Sequence, residues 1–200
     1  MGRSVDYFFA PQSPWTYLGH ERFVRLVREQ GAQVRVRPVD LGRVFAVSGG
    51  LPLSQRPVQR QAYRLVELAR FARHLSLPLH PQPKFFPVAG DPGAKLIIAA
   101  LHAGGTDKAL ALAGALGSAV WAEEKNVADA DTLIATANSI GLDGAALLQA
   151  TDSDAVNADY ARNTEEAIEA KVFGVPWYRV DGEGFWGQDR LDFVERLLSA

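Results

Sequence analysis

The chain has 200 residues, 48% of them hydrophobic, a formal net charge of -2 and no cysteine. That is enough apolar material for one compact unit, or for one fold carrying an inserted subdomain. Scattered Lys and Arg leave no nucleic-acid footprint, no run of ~18 apolar residues suggests a membrane span, and without Cys the chain cannot by itself be a disulfide oxidoreductase.

The first element is Val5–Phe9, short, β-branched and aromatic, which predicts a buried strand. Trp15, Leu18, Phe23, Leu26 and Val27 then recur at helical spacing, so Pro14 to about Gln30 predicts a helix. Ser13 is a preferred N-cap and Pro14 suits the first helical position. Gly31 ends that helix, and the alternation in Gln33–Pro38 predicts a second strand. Strand, helix and strand form a βαβ unit whose crossover is parallel and right-handed.

From here to about Asp152 only helices are expected. A short turn covers Leu41–Phe45, and Ser48–Pro52 is a loop. Pro57–His74 has Tyr63, Leu65, Val66, Leu68 and Phe71 on an apolar face, with its arginines mostly opposite. The Pro-rich stretch Leu75–Pro87 is not a regular helix. Helices follow at Gly93–Ala103, Thr106 to about Glu123, Asp129–Ile140 and Gly144–Ala150. Ser153 caps a helix over Asp154–Val172. Phe173–Val180, a turn at Asp181–Gly184, and Phe185–Trp186 predict a hairpin, and Gln188–Ser199 a last amphipathic helix. Without the helical block, β-α-β followed by β-β-α is the element order of a thioredoxin-like fold. Residues 1–40 and 153–200 would form that α/β domain, and 41–152 a helical insertion between its halves.

Three places carry candidate chemistry. Ser13 puts a hydroxyl at the positive end of a helix, where an anion is stabilised; it equally serves as a plain N-cap. Thioredoxin-like proteins place Cys-x-x-Cys at this position, and here the four residues are Ser13-Pro14-Trp15-Thr16. If this site handles sulfur, the sulfur arrives on a ligand. Val175-Pro176 suits a cis turn that frees the Val175 backbone to pair with an extended peptide, or a simple turn before an edge strand. Gly187-Gln188-Asp189-Arg190 opens the last helix, where free N–H groups suit a carboxylate and Asp189 an ammonium. A tripeptide thiol with a free amino-acid head would satisfy all three. There is no C-x-x-C, H-E-x-x-H or acidic calcium loop, so no metal is expected. No signal-peptide pattern is visible, which favours the cytoplasm.

Ser13-Pro14-x-x-Tyr17-Leu18, Lys171-Val172-Phe173-Gly174-Val175-Pro176 and Trp186-Gly187-Gln188-Asp189-Arg190 closely resemble the 2-hydroxychromene-2-carboxylate isomerases. These group with kappa-class glutathione transferases in the DsbA-like branch of the thioredoxin superfamily. The resemblance spans essentially the whole chain. It implies a glutathione-dependent isomerase of a small aromatic carboxylate, and a homodimer. It implies that Ser13 is catalytic and hydrogen-bonds the glutathione sulfur. Val175 and Pro176 would present backbone to the cysteinyl unit, and Gln188, Asp189 and Arg190 would hold the γ-glutamyl head. The substrate pocket would draw on Trp15, Phe45, Gln55, Arg56, Lys84, Phe85 and Phe86, with Arg56 and Lys84 facing the carboxylate. Phe45 stands where the naphthalene-pathway enzymes have Lys, and Gln55 where they have Asn. A kappa-like transferase or peroxidase, or a non-catalytic thiol-peptide binder, would share the glutathione half of the site.

Overall fold

The computed structural model describes residues 3–200. A four-stranded sheet has the order β2-β1-β3-β4, from β1 (Ser4–Phe9), β2 (Gln33–Pro38), β3 (Trp177–Val180) and β4 (Glu183–Trp186). β1 pairs parallel with β2, in register Val5↔Val34, and antiparallel with β3, in register Val5↔Val180. This is the mixed sheet of the expected thioredoxin-like fold, with a helical insertion between β2 and β3.

β1 is central, so both its faces are covered and alternation is lost: Val5 through Phe9 are all buried. Val5, Tyr7 and Phe9 join the large core with Val36, Tyr178 and Val180. Tyr7 stacks on Phe9 at 4.5 Å and on Tyr178 at 5.4 Å between ring centres. Asp6 and Phe8 face the opposite side. Phe8 packs with Val39, Val44, Ala167 and Val172. Asp6, 1% exposed, receives Arg35 at 2.6 Å and Arg37 at 2.8 Å from β2, and Arg179 at 2.8 Å from β3. A carboxylate placed in a sheet interior is tolerated only with such partners.

Helix α1 (Pro14–Glu29) lies over the first face with its cap at Ser13. Helices α2 (Leu41–Ser48), α3 (Val58–Leu75), α4 (Asp91–Trp121), α5 (Ala130–Ser139), α6 (Gly144–Ala150) and α7 (Asp154–Glu169) follow, and α8 (Leu191–Ser199) closes the chain. The expected helices Gly93–Ala103 and Thr106–Glu123 abut as α4, broken at Gly105 (φ 80°, ψ -175°). Left-handed φ there favours glycine and ends the first helical run. Contrary to expectation, by length and mean hydropathy (1.3) α4 matches a membrane span. Leu96, Ile97, Ile98, Leu112 and Leu116 are nevertheless buried in the core against α1 and β2, so α4 is the core helix of this fold.

Two helical assignments change. The helix after Ser153 stops at Glu169, not Val172, because Lys171 adopts φ 58°. In α3, Tyr63 and Val66 are exposed rather than core-facing, and only Leu68 and Ala72 are fully buried. The hairpin turn is two residues, Asp181 (φ 51°) and Gly182 (φ 88°), both left-handed as a tight hairpin requires, so β4 begins two residues earlier than expected.

Candidate active site

Ser13 sits in extended conformation (φ -73°, ψ 128°) where β1 has ended and α1 begins. Its N–H donates to the Ala10 carbonyl at 3.0 Å. Its Oγ accepts from the Thr16 N–H at 3.3 Å, so Ser13 is a true N-cap. That bond uses one lone pair and leaves the hydroxyl proton uncommitted. The first turn of α1 carries no acidic residue, so nothing cancels the positive helix end.

Val175 reaches the same place from the far side of the chain. The Val175–Pro176 bond is cis. The Pro176 carbonyl accepts from Gly187 N–H at 2.9 Å, whereas among the described residues no backbone partner is found for Val175. Gly174 lies under the Trp186 indole: a Cβ there would stand 2.7 Å from Nε1. Phe173 meets the same indole edge-on at 4.8 Å.

A cavity of about 880 Å³ opens between these two segments and α2, the following loop and α3. Ser13, Trp15, Phe45, Arg56, Phe86 and Val175 line it, as the sequence led us to expect. Pro176, Gln188, Asp189, Arg190, Gln55, Lys84 and Phe85 do not reach it. Lys84 instead lies 5.1 Å from its neighbour Phe85, itself 41% exposed, and donates its backbone N–H to Glu124. His80, beside the same loop, is also outside the cavity, 3.9 Å from Glu124.

Gln188 differs most from expectation. It is 2% exposed, and both its carbonyl and its side-chain oxygen accept from Arg22 on α1. Its two oxygens thus join α1 to the 3-10 turn Gln188–Arg190. Asp189 is exposed and pairs with Arg190 at 2.9 Å. Gly187 (φ 105°) sets the turn that brings both to the start of the last helix.

The cavity also holds residues that the sequence reading did not single out: Gln12, Arg60, Arg64, Tyr63, Phe173 and Trp186. The i, i+4, i+8 spacing of Arg56, Arg60 and Arg64 was a visible signal. The sequence places Arg56 in the pocket, but Arg60 and Arg64 only opposite the apolar face of Pro57–His74. Arg56 donates to the Leu51 carbonyl at 2.8 Å and lies over the Phe45 ring at 5.8 Å. Arg64 stacks on Phe86 at 5.2 Å and Trp121 at 5.6 Å. Burial, with a smaller contribution from the charge of Arg56, lowers its guanidinium to about 10. No Asp, Glu, His or Lys lines the cavity among the described residues.

The family described as a DSBA-like thioredoxin domain matches residues 4–199. A 2-hydroxychromene-2-carboxylate isomerase from Sphingobium xenophagum is 31% identical over 199 residues, covering 99% of this chain and 99% of its own. The chain belongs to this isomerase family. A solved 2-hydroxychromene-2-carboxylate isomerase superposes with a TM-score of 0.81 at 28% identity, covering 98% of this chain and 94% of its own. Human glutathione S-transferase kappa 1 is a further relative, 25% identical over 98% of this chain and 91% of its own.

Within the 2-hydroxychromene-2-carboxylate isomerase family frame, the geometry separates two functions. One wall offers a hydroxyl proton at a helix N-terminus and an unpaired strand-like backbone. The other offers aromatic faces and guanidinium groups. The first suits a thiol-bearing peptide and the second an aromatic anion.

Proposed function

We propose that this protein is a glutathione-dependent isomerase of 2-hydroxychromene-2-carboxylate-type aromatic keto-acids or their cyclic hemiketals. The observation that carries this reading is that Ser13 and the α3 arginines open onto one cavity. The residues suit glutathione in part. Ser13 has a free hydroxyl proton, Val175 has free backbone groups, and Asp189 is exposed at the last helix start, while both oxygens of Gln188 are taken by Arg22.

When bound, glutathione would supply a nucleophilic thiol that is recovered unchanged. Ser13 donates its hydroxyl proton in a hydrogen bond to the sulfur and, with the end of α1, favours the thiolate. With no base in the cavity lining to deprotonate it, Ser13 acts as a donor and not as a nucleophile. Val175 aligns the cysteinyl unit through its N–H and C=O. Asp189 pairs with the ammonium of the γ-glutamyl head, in exchange for its contact with Arg190. Arg56 holds the substrate carboxylate, and Trp15, Phe45 and Phe86 flank its ring and exclude water.

The test is conversion of 2-hydroxychromene-2-carboxylate by the purified protein, followed by chromatography with mass detection, with and without reduced glutathione. The expected outcome is a product of unchanged mass, formed only with the thiol and without its consumption. A stable glutathione adduct would instead identify a transferase of the kappa type. Thiol-independent conversion would remove the cofactor from the reading.

A further inference from the structure

We propose that Arg64 is a specificity-determining residue that binds a second anionic group on the substrate, so that the cavity selects aromatic acids bearing two ionised groups. The inference deepens the reading above and rests on it for the location of the site.

The cavity lining carries three guanidinium groups, and no carboxylate among the described residues. Glutathione brings one terminal carboxylate beyond its γ-glutamyl head, and a chromene carboxylate brings one more. One cation is then unmatched. Arg64 differs from the other two in its surroundings. Its Nη2 is buried from solvent and has no hydrogen-bond partner. Its guanidinium face is held by Phe86 and Trp121, and the indole Nε1 of Trp121 donates to the Gln12 carbonyl at 3.2 Å, one residue before Ser13. A guanidinium packed against aromatic rings and lining a cavity is a pre-organised carboxylate receptor. Arg64 has no carboxylate partner among the described residues, so its charge is left for a ligand to neutralise. Phe86 and Trp121 pack beside each other, 4.7 Å between ring centres, against this one guanidinium, so the anionic group it takes lies at the aromatic end of the ligand.

The experiment measures binding of naphthalene-1,4-dicarboxylate and 1-naphthoate by calorimetry to the wild-type protein and to Arg64→Met and Arg64→Lys. It needs neither turnover nor glutathione, so failure of the isomerase reading shows separately as absent conversion by the wild-type protein. The wild-type protein should bind the dicarboxylate at least about 10-fold tighter than the monocarboxylate. Arg64→Met should remove that preference, and Arg64→Lys should retain only part of it, since an ammonium lacks the planar fork. Reduced glutathione should bind wild type and Arg64→Met equally. Equal wild-type affinity for the two acids would overturn the proposal even if Arg64→Met did not fold. So would a loss of glutathione affinity in Arg64→Met with the dicarboxylate preference intact, because the carboxylate recognised would then be the cofactor's own.

Discussion

Arg22 donates from Nη2 to the Gln188 carbonyl at 2.8 Å and also to the Gln188 side-chain oxygen. This pair fixes the turn before α8 to the middle of α1, so that Asp189 and Ser13 are positioned by one rigid helix. Gly19, one turn earlier, permits the approach: a Cβ there would stand 2.7 Å from Gln188 Cβ and 3.3 Å from its Cα. Arg22→Met should lower stability by about 1–3 kcal/mol by leaving two buried acceptors unpaired. It should also weaken glutathione binding through misplacement of Asp189. Urea unfolding and calorimetry read the two effects separately; unchanged stability would show that the pair contributes nothing.

Ser13→Ala should have two separable consequences. Loss of the cap should cost about 1 kcal/mol, or about 2–4 °C in Tm for a chain of this size. Loss of the donor to the sulfur should lower kcat by about 100-fold. A Tm drop with full turnover would leave Ser13 as a helix cap and nothing more.

His20 is 7% exposed, its Nε2 faces the Leu110 carbonyl at 2.9 Å and its Nδ1 faces the Tyr7 hydroxyl at 3.2 Å. Burial pushes its pKa down to about 4, against a smaller upward effect of the Leu110 bond. The unfolded chain therefore takes up a proton near 6.5 that the folded chain refuses until about 4. Stability should be constant above that window and fall as pH drops through it, by on the order of 3 kcal/mol. Thermal melts from pH 7 to 4 should show this decline, and His20→Asn should flatten it.

Asp6 gives the second acid-sensitive contribution. Burial acts to raise its carboxyl, but hydrogen bonds from Arg35, Arg37 and Arg179 together outweigh it and hold the pKa below 3.8. The stability it contributes is present above the unfolded value and lost as pH falls through the lower folded value. Asp6→Asn should cost about 3–5 kcal/mol at neutral pH, because the arginines lose their central charge. The gap to wild type should narrow below pH 4, and a constant gap in denaturant titrations would contradict the linkage.

The strand–helix–strand opening was determined by the sequence alone. Alternation, the Ser13-Pro14 start and the Gly31 stop are local signals, and β1, α1 and β2 form within about a residue of where those signals put them. The insertion between β2 and β3, the hairpin and the family motifs were legible for the same reason, since each is a short pattern of caps, turns and spacing. Three matters were decided only by tertiary structure. Arg60 and Arg64 of α3 line a cavity and Tyr63 is exposed, because α3 roofs the cavity and turns only a strip, Leu68, Phe71, Ala72 and Leu75, to the core. Both oxygens of Gln188 are taken up by Arg22, a partner 166 positions away that no local pattern signals. Asp6 reads as a polar break in an apolar strand until three arginines from two other strands converge on it. Periodicity reports which residues prefer burial, whereas the direction a face turns, and what meets a buried charge there, depend on long-range packing that only the folded chain supplies.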